Sequence, residues 1–114
     1  MSEIFKQLDL IIAQRVKEAD PNNSYVAKLY QSGVDRMLKK VGEEAAETLI
    51  AAKNQAAGAE AAELIGEVAD LWFHIAVMLH HAGLSSEDIA TELAKRFGMS
   101  GLDEKASRAP TGSV

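Results

Sequence analysis

The sequence predicts an all-α protein, a compact bundle of about five helices. Three observations carry that expectation. Apolar residues recur at intervals of three and four, and no stretch shows the period-two alternation of a strand. Capping residues and glycines fall where the periodic stretches begin and end. The connections between them are short, which favours antiparallel neighbours. A chain of 114 residues suits one domain with one core, expected over residues 1–108, with 109–114 as a flexible tail.

The first helix is marked by Ile4, Phe5, Leu8, Ile11, Ile12 and Val16. Ser2 is positioned to cap it, and Asp20-Pro21 ends it. Ser24 is an N-cap for a short second helix reaching about Tyr30, with Gly33 close behind. The third helix is expected from about Val34 to Asn54, its core stripe being Val34, Met37, Leu38, Val41, Ala45, Leu49 and Ala52. Gly42, on the apolar side, reads as a position of close helix packing, and Gly58 interrupts the pattern.

The fourth helix is expected from about Glu60 to Ala82, with Gly83 as its stop signal. Leu64, Val68, Leu71, Ile75, Leu79 and Ala82 form one apolar stripe, while Phe73 and Val77 point to the other side. A helix apolar on two sides is buried on two sides. The second burial is expected to be a subunit interface, unless the first or fifth helix covers it within one chain. Ser85 and Asp88 make a capping box for a fifth helix reaching about Phe97, closed by Gly98.

Composition narrows the chemistry. There is no cysteine, so disulfides, zinc–thiolate sites and cysteine nucleophiles are excluded. No stretch reads as a signal peptide or membrane span, and the expected location is the cytoplasm. A net charge of −5 argues against coating nucleic acid. An anionic small substrate would then need local basic residues, a bound cation, or both.

Two acidic pairs stand out, Glu44/Glu47 and Glu67/Asp70. Residues three apart on a helix are neighbours, so each pair could present two carboxylates to one cation. If the long helices run antiparallel, the pairs can face each other and form a hard-cation site for Mg²⁺ or Mn²⁺. Spacing alone does not separate this from two solvated faces, because composition gives about 2.5 such pairs by chance. Helical-wheel position does more. Both pairs flank apolar faces, where carboxylates repel unless a cation or a basic group such as Lys40 joins them. His74, four residues after Asp70, reads as a structural residue because neither pair offers the Glu-x-x-His of di-iron bundles. His80 and His81 read as surface or helix-end residues, and Trp72 and the methionines as core.

Three segments carry a family resemblance: "SYVAKLYQSGVDRMLKKVGEEAAETLIAAKN", "ELIGEVADLWFHIAVMLHHAGLSSEDIATEL" and "SGLDEKASR". With them the chain resembles the phosphoribosyl-ATP pyrophosphohydrolases of histidine biosynthesis, from Phe5 to Arg108. These belong to the all-α nucleoside-triphosphate pyrophosphohydrolases, which include MazG-like proteins. The superfamily pattern is E-x-x-E followed by E-x-x-D. The resemblance implies Mg²⁺-dependent hydrolysis of phosphoribosyl-ATP to phosphoribosyl-AMP and pyrophosphate, and a homodimer with an interwoven helical core. It implies Glu44, Glu47, Glu67 and Asp70 as metal ligands and Glu43 or Glu47 as the base. Lys28, Lys40, Lys105 and Arg108 are the candidates for holding phosphates. Two alternatives stay open on the sequence: a MazG-like house-cleaning enzyme acting on another nucleotide, and a non-enzymatic helical dimer.

Overall fold

A computed structural model describes residues 3–98. Five helices follow in order: α1 (Glu3–Glu18), α2 (Tyr25–Gln31), α3 (Val34–Ala56), α4 (Ala61–His81) and α5 (Ser86–Phe97). No strand occurs among the described residues. The expected cap at Ser2 and the tail lie outside them.

The local signals act as expected. Ser24 Oγ accepts from Ala27 N at 3.1 Å and starts α2. The Asp88 carboxylate accepts from Ser85 N at 2.9 Å and starts α5. Gly98 closes α5 at a φ of 69°, a left-handed conformation that costs glycine least. The end of α1 is different. Ala19 takes a φ of 53°, so a residue with a Cβ occupies the left-handed position that glycine usually fills.

The core lies where α1, α2, α3 and α4 meet. Ile12 and Val77 are fully buried, packed with Val26, Leu29, Met37 and Ala76. Leu8, Val16, Tyr30 and Phe73 close around them. The Phe73/Val77 side of α4 is therefore covered by α1 and α2 of the same chain. It is not left open for a second subunit. The opposite stripe of α4 meets α1 and α5 across a groove of about 260 Å³, in which Phe5, Leu8, Trp72, Ile75, Leu79, Ile89 and Leu93 take part. Trp72 packs on Phe5 with ring centroids 4.9 Å apart, yet it is half-exposed and not core. The start of α5 is pinned to α1, where the Asp9 carboxylate accepts from Ser86 N at 3.1 Å.

The inward side of α3 corrects the sequence reading. Its buried residues are Met37, Glu44 and Ala51. Val34, Leu38 and Leu49, assigned to the core stripe, are exposed, Leu49 by 70%. At 100° per residue, Leu38, Gly42, Ala45 and Leu49 point roughly 100–160° away from Glu44. Gly42 is not a close-packing position within this chain, since nothing lies within 4 Å of where its Cβ would be. The wheel assumed that the apolar side faces the neighbouring helix. The structure instead turns a carboxylate side of α3 toward α4.

Candidate active site

The site lies in the seam between α3 and α4, which form a helical hairpin joined by residues 57–60. Lys40, Glu44 and Glu47 follow one another along α3 at intervals of four and three, and Glu67, Asp70 and His74 along α4 at three and four. Each set therefore shares one side of its helix. The antiparallel run of the hairpin brings the two sets together. Thr48, nearer the turn, meets Glu67, and Glu44, one turn further on, meets Glu67 and Asp70.

Carboxylate oxygens of Glu44, Glu67 and Asp70 lie within 4.8 Å of one another. Glu44 is only 6% exposed. Glu44 Oε1 and Glu67 Oε1 are both buried and have no hydrogen-bond partner. Burial, and then the neighbouring Glu47, Asp70 and Glu44, push the Glu67 carboxyl above its ordinary 4.5. Buried carboxylate oxygens that lack donors and repel each other are unfavourable until a positive charge joins them. Oxygen donors of this kind fit a hard divalent cation such as Mg²⁺ or Mn²⁺.

Lys40 answers only part of this charge. Its Nζ is 3.5 Å from Glu43 Oε1 and 3.6 Å from Glu44 Oε2. Burial disfavours the ammonium, but Tyr25, Glu43 and Glu44 outweigh that and hold its pKa above the ordinary 10.5. It is the one lysine or arginine among the described residues that pairs with the cluster.

Of the residues singled out in the sequence, Glu44, Glu67, Asp70 and Lys40 are brought together. Glu47 is exposed and outside the group of three, yet close enough to act on Glu67. Glu43 is exposed at the edge, on Lys40. Lys28 is exposed on α2 and makes no ion pair with the described acidic residues. Lys105 and Arg108 lie outside the described residues.

Two residues emerge only from the structure. Thr48 Oγ1 lies 2.8 Å from the Glu44 carbonyl and 3.2 Å from the Glu67 carbonyl, so one hydroxyl ties the two helices at the cluster. Tyr25 Oη lies 2.9 Å from His74 Nε2. Neither residue belongs to a spacing pattern. The nearest sequence signal was the Ser24 cap, which places Tyr25 first in α2.

Fold and site together define a class: an all-α domain whose helical hairpin gathers a buried carboxylate, Glu44, with the half-buried Glu67 and the exposed Asp70 in a group suited to a divalent cation. Comparison with known proteins narrows the class. Residues 5–97 match the family described as phosphoribosyl-ATP pyrophosphohydrolase. A phosphoribosyl-ATP pyrophosphatase of Hydrogenovibrio crunogenus is 54% identical over 107 residues, 94% of each chain. One from Methylococcus capsulatus is 51% identical over 106 residues, 93% of this chain and 96% of the relative. One from a Janthinobacterium strain is 48% identical over 110 residues, 95% and 97% of the two chains. The chain belongs to the phosphoribosyl-ATP pyrophosphohydrolase family.

Proposed function

We propose that this chain hydrolyses phosphoribosyl-ATP to phosphoribosyl-AMP and pyrophosphate, the second step of histidine biosynthesis, in the cytoplasm. The observation that carries the mechanism is the pair of buried, unpartnered oxygens, Glu44 Oε1 and Glu67 Oε1, beside Asp70. Glu44, Glu67 and Asp70, with Glu47 at their edge, would hold Mg²⁺, with Mn²⁺ as a substitute. When bound, the ion neutralises phosphate charge and makes a water more acidic.

The chain's own residues account for the rest. Hydrolysis adds water across the α–β phosphoanhydride. The water oxygen bonds to phosphorus, the bridging P–O bond opens, and pyrophosphate leaves. Glu47 or Glu43 takes the water's proton. Both are exposed carboxylates at the rim of the cluster, where substrate arrives. Lys40 carries a permanent positive charge there and exchanges its carboxylate partners for phosphate oxygens. Lys28, Lys105 and Arg108 are assigned to the remaining phosphates, and the enzymatic domain to residues 1–108 with 109–114 as its tail.

The active form is a homodimer. Support comes from the outward stripe of α3, where Leu38, Leu49 and Ile50 are 48–70% exposed around an open Gly42. So much exposed apolar surface on one small chain suits a second copy. The molar mass by light scattering would be twice 12.3 kDa. A monomer at micromolar concentration would overturn that assignment.

The activity is tested by incubating purified protein with phosphoribosyl-ATP, with and without Mg²⁺, and identifying both products. Pyrophosphate and phosphoribosyl-AMP appear in equal amounts only with the metal. Faster turnover of dUTP or dCTP than of phosphoribosyl-ATP would replace the assigned substrate.

A further inference from the structure

Side chains donate to the backbone at every member of the carboxylate group. Thr48 Oγ1 lies 2.8 Å from the Glu44 carbonyl oxygen and 3.2 Å from that of Glu67. His74 Nδ1 lies 2.8 Å from the Asp70 carbonyl oxygen. Glu44, Glu67 and Asp70 are the same three residues whose carboxylates come within 4.8 Å of one another. The bonds to Glu44 and Asp70 run back four residues within one helix, so they act on that helix alone. The bond from Thr48 to Glu67 crosses from α3 to α4.

A carbonyl can only accept, so Thr48 is the donor to both. A hydroxyl has one hydrogen, which the backbones of Glu44 and Glu67 therefore share. The kind of partner matters. A bond to a side chain can follow that side chain as it moves, whereas a bond to a backbone carbonyl fixes the approach of one helix to the other. The threonine side chain is short, so it reaches the backbone of α4 only where the two helices pack closely. The seam needs such a tie at this level. The hairpin turn, residues 57–60, joins the helices at one end, and the apolar cluster containing Met37 and Val77 joins them toward the other. Between these anchors sit Glu44 Oε1 and Glu67 Oε1, buried without partners, and like charges there push α3 and α4 apart. Thr48, half-buried in the same stretch, opposes that push.

We infer that Thr48 is a positioning residue for the cation site: its hydroxyl holds the backbones of Glu44 and Glu67 together against the repulsion of their carboxylates, so that the group is assembled before a cation binds. Without the hydroxyl the seam relaxes outward, and binding must first draw two repelling helices together. Affinity for the ion then falls, because a site held ready by its surroundings binds more tightly than one that must be formed. The inference rests on the proposed cation-binding role of Glu44, Glu67 and Asp70.

The test is Mg²⁺ affinity by isothermal titration calorimetry on the full chain at neutral pH, with the metal-free melting temperature measured beside it. Thr48→Val keeps the branched shape and removes the hydroxyl. It should raise the Kd for Mg²⁺ about 5-fold, the loss expected for one hydrogen bond. Thr48→Ser restores the hydroxyl without the methyl group and should stay within about 2-fold of wild type. Thr48→Ala is a second hydroxyl-free variant, and its Kd should rise at least as far as that of Thr48→Val. A hydroxyl that served packing alone would change the metal-free melting temperature and leave the Kd where it was. That result, or a Thr48→Ser protein that binds as weakly as Thr48→Val, would overturn the inference. No Mg²⁺ binding by the wild-type protein would instead sink the cation site on which the proposed function rests.

Discussion

The two ends of α4 carry opposite physics. Toward its C-terminus, Val77 is fully buried in an apolar cluster with Ile12, Val26, Leu29 and Met37. Two to three turns earlier, Glu67 and Asp70 face Glu44 across a seam where two buried oxygens lack partners. The same helix is held by its second half and strained by its first. One region stabilises the fold under all conditions. The other becomes favourable only when positive charge arrives. Substitutions should therefore separate the two regions cleanly.

The largest change in stability belongs to the core. Ile12→Ala should cost about 2–5 kcal/mol in chemical denaturation, because the cavity lies among four helices that cannot all relax. Glu44→Gln should do the reverse. Turnover of phosphoribosyl-ATP should fall at least about 100-fold. The metal-free protein, relieved of one charge in the cluster, should melt no lower than wild type.

A pH titration sharpens the contrast without mutation. The Glu67 pKa is raised in the folded state, so the fold binds that proton more tightly than the unfolded chain. Its contribution is fully present below the unfolded value near 4.5 and is lost as pH rises through the folded one. Glu67→Gln should flatten that decline in the melting temperature of metal-free protein, whereas Ile12→Ala should shift the whole curve downward. Ser24→Ala should cost about 1 kcal/mol by removing the α2 cap. Smallest is Ala19→Gly, which relieves the left-handed strain at the end of α1 for a gain of about 0.5 kcal/mol in denaturant.

The contrast also marks what the sequence could disclose. The helix ends were legible because they depend on local chemistry. Ser24, Ser85, Asp88 and Gly98 act within a turn of their own position, and the expected boundaries fall within two residues of the observed ones. The grouping of Glu44, Glu67 and Asp70 was legible because helical spacing and a short turn place them together. The facing of α3 was not. A wheel puts apolar residues inward, and here Glu44 is turned in while Leu38 and Leu49 are turned out. Burial of a carboxylate at the seam reverses the usual rule, which is a signature of a functional site. The two-sided character of α4 was legible too, but not which side the chain itself would cover. Tyr25 and Thr48 were invisible because their partners, His74 and Glu67, lie 49 and 19 residues away.

The claim that the α3–α4 seam is built to receive a divalent cation is tested most directly by melting metal-free protein at neutral pH with increasing Mg²⁺, and with Mn²⁺ in parallel. Binding to the folded state alone raises the melting temperature with concentration. Wild-type protein should show that rise, and Glu44→Gln and Glu67→Gln should show little or none. A melting temperature unmoved by either ion in the wild type, or moved equally in the variants, would contradict the account.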